Sequence, residues 1–234
     1  MCFLRHADRR GPRRAAHGAA ALAAPAAAVF VAAMKVIGLT GGIGMGKSTA
    51  AAAFRRAHLP VFDADACVHR LQAPGGAALP AIAGAFPGAV ADRRGRLVLD
   101  RAALRAAVLA DPAALRRLEA ILHPMVRRAE RRFLAQARRA GARAAVLDIP
   151  LLFETAGAGR ADYIIVVSAP RQVQRLRVQR RRHMDPAQVD AVLARQMPDA
   201  EKRRRADLVV RTGLSRHHAQ RALRRLIHSL VAPP

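Results

Sequence analysis

The amino-acid sequence predicts an α/β fold built on a parallel sheet. From Lys35 onward, short apolar runs rich in β-branched residues alternate with helical patterns, which is the order typical of a parallel sheet covered by helices. The first of these runs leads into a glycine-rich loop and then a helix. The chain of 234 residues is long enough for one domain with inserted subdomains and a substantial interior.

The first strand and the loop after it carry the most specific motif. Lys35 to Leu39 has the pattern of a buried strand, and the loop fits G-x-x-x-x-G-K-[ST], the phosphate-binding P-loop. Glycine backbone and the first turn of the next helix offer N–H groups to phosphate oxygens. Lys47 would reach the β- and γ-phosphates of a nucleoside triphosphate, and the Ser48 hydroxyl would ligate Mg²⁺. The predicted nucleotide contacts are Gly44, Met45, Gly46, Lys47, Ser48 and Thr49.

Composition sets the expected partners. The net charge of +25, from 41 Lys and Arg against 16 Asp and Glu, suggests a nucleic-acid partner at first sight. Aromatic residues make up only 3% of the chain and the arginines are spread over its whole length, so we expect no specific nucleic-acid binding. Two cysteines, Cys2 and Cys67, cannot form a disulfide scaffold, which favours a reducing compartment and a cytoplasmic location.

Residues 1–33 differ in character from the rest. Five arginines precede an Ala-rich stretch that contains Pro25 and is too short and too weakly apolar to span a bilayer. Met34 stands directly before the first strand. We expect residues 1–33 to be a disordered extension or the product of an over-called start codon; a targeting segment is the alternative. No membrane association is expected.

A second strand should end in a pair of carboxylates. After a helix from Thr49 to His58, Val61 and Phe62 form a short strand followed by Asp63-Ala64-Asp65. Carboxylates at this edge of a parallel sheet project toward the ligand crevice, where one can accept a proton from a substrate hydroxyl or hold the Mg²⁺ shell. The alternative is that Asp65 caps the following helix.

Residues 66–139 have a helical pattern without sheet-forming runs, which predicts a helical insertion that covers the crevice. Asp100 and Asp111 are placed to start helices. His123-Pro124 predicts a helix junction, and His123 is either structural or functional.

The second half contains three further strands. Ala144 to Ile149 and Tyr163 to Val167 are apolar runs, and residues 207–210 are the last. Asp148 falls near the carboxyl end of its strand, where it would steady the water shell of the metal or serve as a buried, hydrogen-bonded carboxylate. The basic helix from Arg171 to Arg182 is a solvated face, a nucleic-acid patch or a mobile lid over the phosphoryl group. Leu214 to Leu230 should form a closing helix.

With these residues in view, the chain from Met34 to Leu230 resembles the dephospho-coenzyme A kinase family. The motifs on which the resemblance rests are GLTGGIGMGKS, FDAD followed by His69, LHP at 122–124 and PLLFE at 150–154. Gln174, Arg177 and Arg181 fit the lid pattern Q-x-x-R-x-x-x-R of the family, and ARQMP followed by ADLVV fits its C-terminal part. Three positions depart from the family pattern: Met45 replaces a usual Ser, Arg182-His183 replaces Asp-Gly, and Arg211-Thr212 replaces a frequent Asn.

The resemblance implies ATP- and Mg²⁺-dependent phosphorylation of the ribose 3′-hydroxyl of dephospho-coenzyme A. It implies a five-stranded parallel core (34–65, 140–177 and 203–234), a helical insertion that binds coenzyme A (66–139) and a helical lid (178–202). Asp65 becomes the candidate base, and Lys47 and Arg181 stabilise the transferring group. The implied acceptor-binding residues are Asp65, His69, His123, Leu151, Glu154 and Arg177.

The expected partner is thus a small-molecule substrate. The protein itself is expected to be a monomer or a weak oligomer. A different P-loop nucleoside or nucleotide kinase is the alternative, and LHP and PLLFE argue against it. A GTP-binding switch protein is disfavoured because the chain has no N-K-x-D motif.

Overall fold

A computed structural model of the protein describes residues 34–155, 157–182, 185–194, 196–213 and 215–231. Residues 1–33, and with them the expected extension, lie outside that part. The elements are β1 Lys35–Thr40, α1 Lys47–Arg56, β2 Val61–Asp63, α2 Ala64–Leu71, α3 Leu79–Ala85, β3 Val90–Arg93, β4 Arg96–Leu99, α4 Arg101–Ala110, α5 Pro112–Arg139, β5 Ala144–Asp148, β6 Tyr163–Ser168, α6 Arg171–Arg182, α7 Pro186–Ala194, α8 Asp199–Arg204, β7 Leu208–Arg211 and α9 Arg216–Val231, with a short 3₁₀ helix at Ala158–Arg160.

The predicted five-stranded parallel sheet flanked by helices is confirmed. Its strand order is β2-β5-β1-β6-β7, and every neighbouring pair is parallel. One face packs against α1 and α9 through Phe54 and Leu223. The other face packs against α5 through Phe133 and Leu134. Because both faces are covered, the strands are buried and apolar, and polar side chains collect where the strands end.

The region 66–139 contains a β-hairpin, so the expectation that it lacks strands was wrong. β3 and β4 pair antiparallel across a two-residue turn at Arg94 and Gly95, whose φ angles are 57° and 77°. Asp92 Oδ1 accepts the N–H of Gly95 at 2.8 Å. Left-handed turns of this kind match the twist of a hairpin. The strands escaped prediction because each is only four residues long.

The predicted junction at His123-Pro124 was also wrong, because α5 runs without interruption from Pro112 to Arg139. The proline removes one backbone hydrogen bond. Leu118 and Leu122 before it pack into the core of the insertion, and Leu134 after it packs against the sheet. Burial on both sides of the proline therefore outweighs the missing bond.

Other boundaries differ by a few residues from prediction. The predicted helix starts at Asp100 and Asp111 are correct, since both carboxylates accept N–H groups of the first turn. The short helix α8 was not predicted. No described helix is both long enough and apolar enough to cross a membrane.

Candidate active site

The loop between β1 and α1 lies at the carboxyl edge of the sheet and lines a cavity of about 1970 Å³. Gly44 and Gly46 adopt φ angles of 75° and 96°, which only glycine takes readily, and α1 starts directly after Gly46. The N-terminal N–H groups of α1 and the side chains of Ser48 and Thr49 therefore open on the cavity. This is the arrangement expected for binding phosphate groups.

Lys47 is fixed by an ion pair with the last residue of the neighbouring strand. Its Nζ lies 2.6 Å from Asp148 Oδ1, and the Asp148 side chain is only 4% exposed. β1 and β5 are adjacent, which brings Asp148 opposite Leu39, just before the loop. Burial raises the pKa of Asp148 above its ordinary value, although the Lys47 ammonium opposes the shift. The structure thus shows the alternative of a buried, hydrogen-bonded carboxylate at the strand edge, and the role of Asp148 in the water shell of a metal stays a prediction.

The two carboxylates of the Asp-Ala-Asp sequence have different surroundings. Asp63 caps α2: its Oδ1 accepts the N–H of Ala66 at 2.9 Å, and Arg55 lies 3.4 Å from its Oδ2. Asp65 stands in the first turn of α2, exposed, and lines the same cavity as Lys47. The alternative that Asp65 caps the helix was therefore wrong, since Asp63 fills that role.

Three side chains that sequence reasoning did not select hold the loop in place. Gln174 Nε2 donates to the carbonyl of Ile43 at 2.8 Å, and Gln196 Oε1 accepts the Ile43 N–H at 3.1 Å. Thr212 Oγ1 donates to the Met45 carbonyl at 2.6 Å. Gln174 belongs to the lid pattern and Gln196 to the ARQMP motif, and these two motifs were the available signal. Their bonds to the loop backbone needed the tertiary structure to be seen.

Met45 points its side chain away from the cavity. The side chain is 2% exposed and packs with Phe54 in the core, where its sulfur accepts the N–H of Ala169 at 2.9 Å. The bulk of methionine at this loop position is thus accommodated beneath the loop. The Met45 backbone is engaged within the protein, since its N–H donates to the Gly42 carbonyl at 3.2 Å and its carbonyl accepts from Thr212.

The predicted acceptor contact Arg177 lies against the phosphate-binding loop. Its guanidinium donates to Thr212 Oγ1 at 3.1 Å and to the Thr212 carbonyl at 2.8 Å, and it approaches the Gly44 carbonyl at 3.4 Å. Arg180, one turn along α6, lines the cavity as well. The side chain of Arg181 lies outside the described part of the structure.

The other predicted acceptor residues are spread over helix and turn surfaces. His69 on α2 is exposed, with Nδ1 3.2 Å from Arg101 Nη2. His123 is exposed on α5, and Leu151 is 40% exposed in the turn after β5. Among the described residues that line the large cavity, none of these three is found.

Glu154, the last residue of the PLLFE turn, anchors the segment before α8. Its Oε1 lies 2.7 Å from Nζ of Lys202, which is 1% exposed, and accepts the N–H of Met197 at 3.1 Å. Burial alone would raise the pKa of Glu154, but the bonds from Lys202 and Met197 outweigh it and lower that pKa. The carboxylate is therefore already engaged within the protein.

The donors present fit a magnesium ion rather than an all-protein metal cage. Within the described ranges, no group of three or more His, Cys, Asp or Glu side chains is placed to hold a metal. Ser48 and Asp148 supply oxygen donors at the loop. Mg²⁺ in kinase sites is typically bound by one or two protein groups together with phosphate oxygens and waters.

The sequence is similar to those of known dephospho-CoA kinases. The family model of dephospho-CoA kinase matches residues 35–216. The dephospho-CoA kinase of Gluconobacter oxydans (strain 621H) is 53% identical over 201 residues, covering 84% of this chain and 98% of the relative. That of Paramagnetospirillum magneticum is 59% identical over 170 residues, covering 73% of this chain and 78% of the relative.

Solved structures show the same fold. TT1252 from Thermus thermophilus is 37% identical with a TM-score of 0.71, covering 85% of this chain and 99% of that one. The dephospho-CoA kinase from Campylobacter jejuni is 19% identical with a TM-score of 0.57, covering 84% and 97%, and supports the fold alone. Loop, sheet and sequence matches agree: the chain is a P-loop kinase and belongs to the dephospho-CoA kinase family.

Proposed function

We propose that the protein transfers the γ-phosphoryl group of ATP to the ribose 3′-hydroxyl of dephospho-coenzyme A, giving coenzyme A and ADP. This is the last step of coenzyme A biosynthesis. One observation carries the proposal: within a family of this activity, Lys47, Ser48 and the exposed Asp65 line a single cavity. A phosphate-binding cation and a free carboxylate then face the same reacting group.

Lys47 and the start of α1 hold the triphosphate. The N–H groups of the first turn and the Lys47 ammonium provide fixed positive charge for the β- and γ-phosphates. Asp148 orients Lys47 through the 2.6 Å contact, so the ammonium does not have to be ordered when the nucleotide binds. Ser48, with Asp148 through the water shell, would hold Mg²⁺, which supplies charge neutralisation at the phosphates.

Asp65 is proposed as the base. The ribose 3′-oxygen forms a bond to the γ-phosphorus, the bond from that phosphorus to the β–γ bridging oxygen breaks, and the hydroxyl proton passes to the Asp65 carboxylate. In a loose transition state the bond from the ribose oxygen to phosphorus is little formed, so this oxygen develops little positive charge and its proton can leave late. Asp65 therefore acts both by orienting the hydroxyl and by accepting its proton, and its contribution is smaller than that of positioning by Lys47.

The arginines of α6 are proposed to stabilise the transferring group. Arg177 contacts Thr212 and the Gly44 carbonyl, which favours a nucleotide contact over the acceptor contact inferred from the motif. Arg181 keeps its proposed role over the phosphoryl group, one turn farther along the helix. Such charges act most strongly once water is excluded.

The acceptor is proposed to bind along the insertion. His69, His123 and Leu151 would contact the coenzyme A portion, and their exposure leaves them accessible to it. For Glu154, the pairing with Lys202 favours an anchoring role over direct contact. The remaining proposals are a cytoplasmic monomer or weak oligomer without specific nucleic-acid partners.

A coupled ADP-release assay tests the proposal. Protein with ATP, Mg²⁺ and dephospho-coenzyme A should give saturable turnover, and adenosine or nucleoside monophosphates should give none. Turnover with a nucleoside monophosphate but not with dephospho-coenzyme A would instead establish the alternative of another nucleotide kinase. Running the assay on the full chain and on protein starting at Met34 tests whether residues 1–33 contribute.

A further inference from the structure

Ile43 lies inside the phosphate-binding loop, and both of its backbone polar groups are held by carboxamide side chains. Gln174 on α6 donates to its carbonyl at 2.8 Å, and Gln196, just after α7, accepts its N–H at 3.1 Å. A Cβ on Gly42 would stand 3.1 Å from the Gln174 amide and 3.2 Å from Gln196 Oε1. Glycine at that position therefore lets both carboxamides reach the loop.

The two bonds differ in their surroundings. Gln174 is 7% exposed, which makes its bond to the Ile43 carbonyl a part of the packed structure. Gln196 and Ile43 line the large cavity together with Lys47. The bond between Gln196 and the Ile43 N–H therefore lies on the side of the loop where phosphate would bind.

The Ile43 N–H belongs to a run of donors suited to an anion. The left-handed residues Gly44 and Gly46 that follow it line the same cavity, and N–H groups in turns of this kind form the anion-binding concavity of phosphate-binding loops. The Met45 N–H between them is not part of this set, because it donates to the Gly42 carbonyl at 3.2 Å. A phosphate oxygen carries charge and is a stronger acceptor for an N–H group than a carboxamide oxygen. A phosphate group and Gln196 thus compete for one donor.

The backbone next to Gln196 is fixed independently of this bond. The N–H of Met197 donates to Glu154, and the buried Lys202 pairs with the same carboxylate. On the other side, Gln196 follows the last turn of α7, with its N–H donating to the Leu193 carbonyl at 3.2 Å. Residues 197–202 can stay in place while the Gln196 side chain changes partner and α7 moves.

We propose that Gln196 is a positioning residue that exchanges places with the nucleotide: its Oε1 and a phosphate oxygen bind alternately to the Ile43 N–H. Binding of a nucleoside di- or triphosphate then releases the end of the lid next to the core. This one hydrogen bond thereby couples phosphate binding at the loop to the position of the lid. The inference rests on the proposed nucleotide-binding function and deepens it.

Calorimetric titration of Gln196 variants with ATP, ADP, adenosine and tripolyphosphate tests the exchange. Gln196→Ala removes the competing acceptor and should tighten ATP, ADP and tripolyphosphate roughly two- to tenfold, with adenosine unchanged. Gln196→Glu supplies a charged competitor that also repels phosphate, and should weaken all three phosphate ligands about tenfold or more. Gln188→Ala is the matched control, because Gln188 lies in α7 and the hydrogen bonds described for it join it to Asp185.

Opposite signs for the Ala and Glu variants support the exchange, because loss of a merely structural contact would weaken binding in both. Equal or weaker ATP binding by Gln196→Ala, relative to Gln188→Ala, would overturn it. Failure of the wild-type chain to bind ATP would instead overturn the proposed function itself. Should Gln196→Ala not fold, the wild-type chain gives a second test: the Ile43 amide and Gln196 carboxamide NMR signals must both shift with tripolyphosphate, and unshifted signals reject the exchange.

Discussion

The nucleotide side and the acceptor side of this kinase are built differently. On the nucleotide side, the loop is held by Lys47 with Asp148, by Thr212 beneath Met45 and by Gln174 at Ile43. On the proposed acceptor side, Asp65, His69 and His123 stand exposed on two helices and Leu151 in a turn. One side consists of strand ends fixed by a buried sheet, and the other of helix and turn surfaces.

The difference follows from what each side must do. Phosphoryl transfer depends on charges already in place when the nucleotide arrives, and strand ends in a covered parallel sheet provide such fixed positions. The acceptor is large and has to be enclosed after it binds, which suits residues on elements able to move toward one another. We therefore expect changes on the nucleotide side to act on rate and changes on the insertion to act on acceptor affinity.

The largest expected effect is the loss of Lys47. Lys47→Ala should lower kcat/KM at least about 10³-fold, because a fixed cation at the phosphates is lost. It also leaves the buried Asp148 without its partner, so Lys47→Ala combined with Asp148→Asn should recover thermal stability but not activity. Steady-state kinetics and thermal unfolding measure the two properties. The control is Lys35→Ala, because Lys35 is an exposed lysine at the other end of β1. If the kcat/KM of Lys47→Ala lies within tenfold of that of Lys35→Ala, the nucleotide side does not depend on its fixed cation.

The two aspartates of the Asp-Ala-Asp sequence give the next largest effect. Asp65→Asn should lower kcat about 10²-fold, since a carboxamide at this position in the cavity cannot accept the hydroxyl proton. Asp63→Asn should leave kcat within a fewfold, because asparagine caps a helix as well as aspartate does. The kcat values of both variants are compared by steady-state kinetics at saturating concentrations of both substrates. Near-normal turnover of Asp65→Asn would remove its role as base.

Sequence reasoning succeeded on the nucleotide side and did less well on the insertion. The P-loop pattern and the buried runs correctly predicted β1, the loop and the place of Asp148 at the end of its strand, since local sequence and burial dictate the same structure there. The hairpin at Arg94-Gly95 was missed because its strands are short, although a turn glycine marked it. The junction at Pro124 was wrongly predicted because long-range packing of α5 overrides a local helix breaker. The contacts of Gln174, Gln196 and Thr212 join segments distant in sequence, and no local pattern predicts them.

The acid limb of the pH–rate profile, which is the decrease in kcat/KM at low pH, should reflect the protonation of Asp148 on the nucleotide side. Because burial raises the pKa of Asp148, this carboxylate takes up a proton at a higher pH than an ordinary aspartate as the pH falls. The protonated form can no longer pair with Lys47 or steady the metal shell. We therefore expect kcat/KM for ATP to fall about tenfold per pH unit below that raised pKa. Profiles of the wild type and Asp148→Asn check this: the variant should be slow and lack the limb, and an unchanged limb would assign it to another group.

The smallest effect comes from a pair of glycines in the insertion. Gly95→Ala places a side chain at a φ of 77° in the hairpin turn and should destabilise the protein by about 1 kcal/mol. Gly84→Ala lies in α3, with open space where its Cβ would stand, and should stabilise it by about 0.5–1 kcal/mol. Urea unfolding measures both free energies. If the nucleotide side and the acceptor side are independent of each other, Gly95→Ala should raise KM for dephospho-coenzyme A while KM for ATP stays within twofold. An equal rise in both constants would mean that the hairpin supports the nucleotide loop as well, because the strain would then pass through α2 and the Asp63–Arg55 contact to α1.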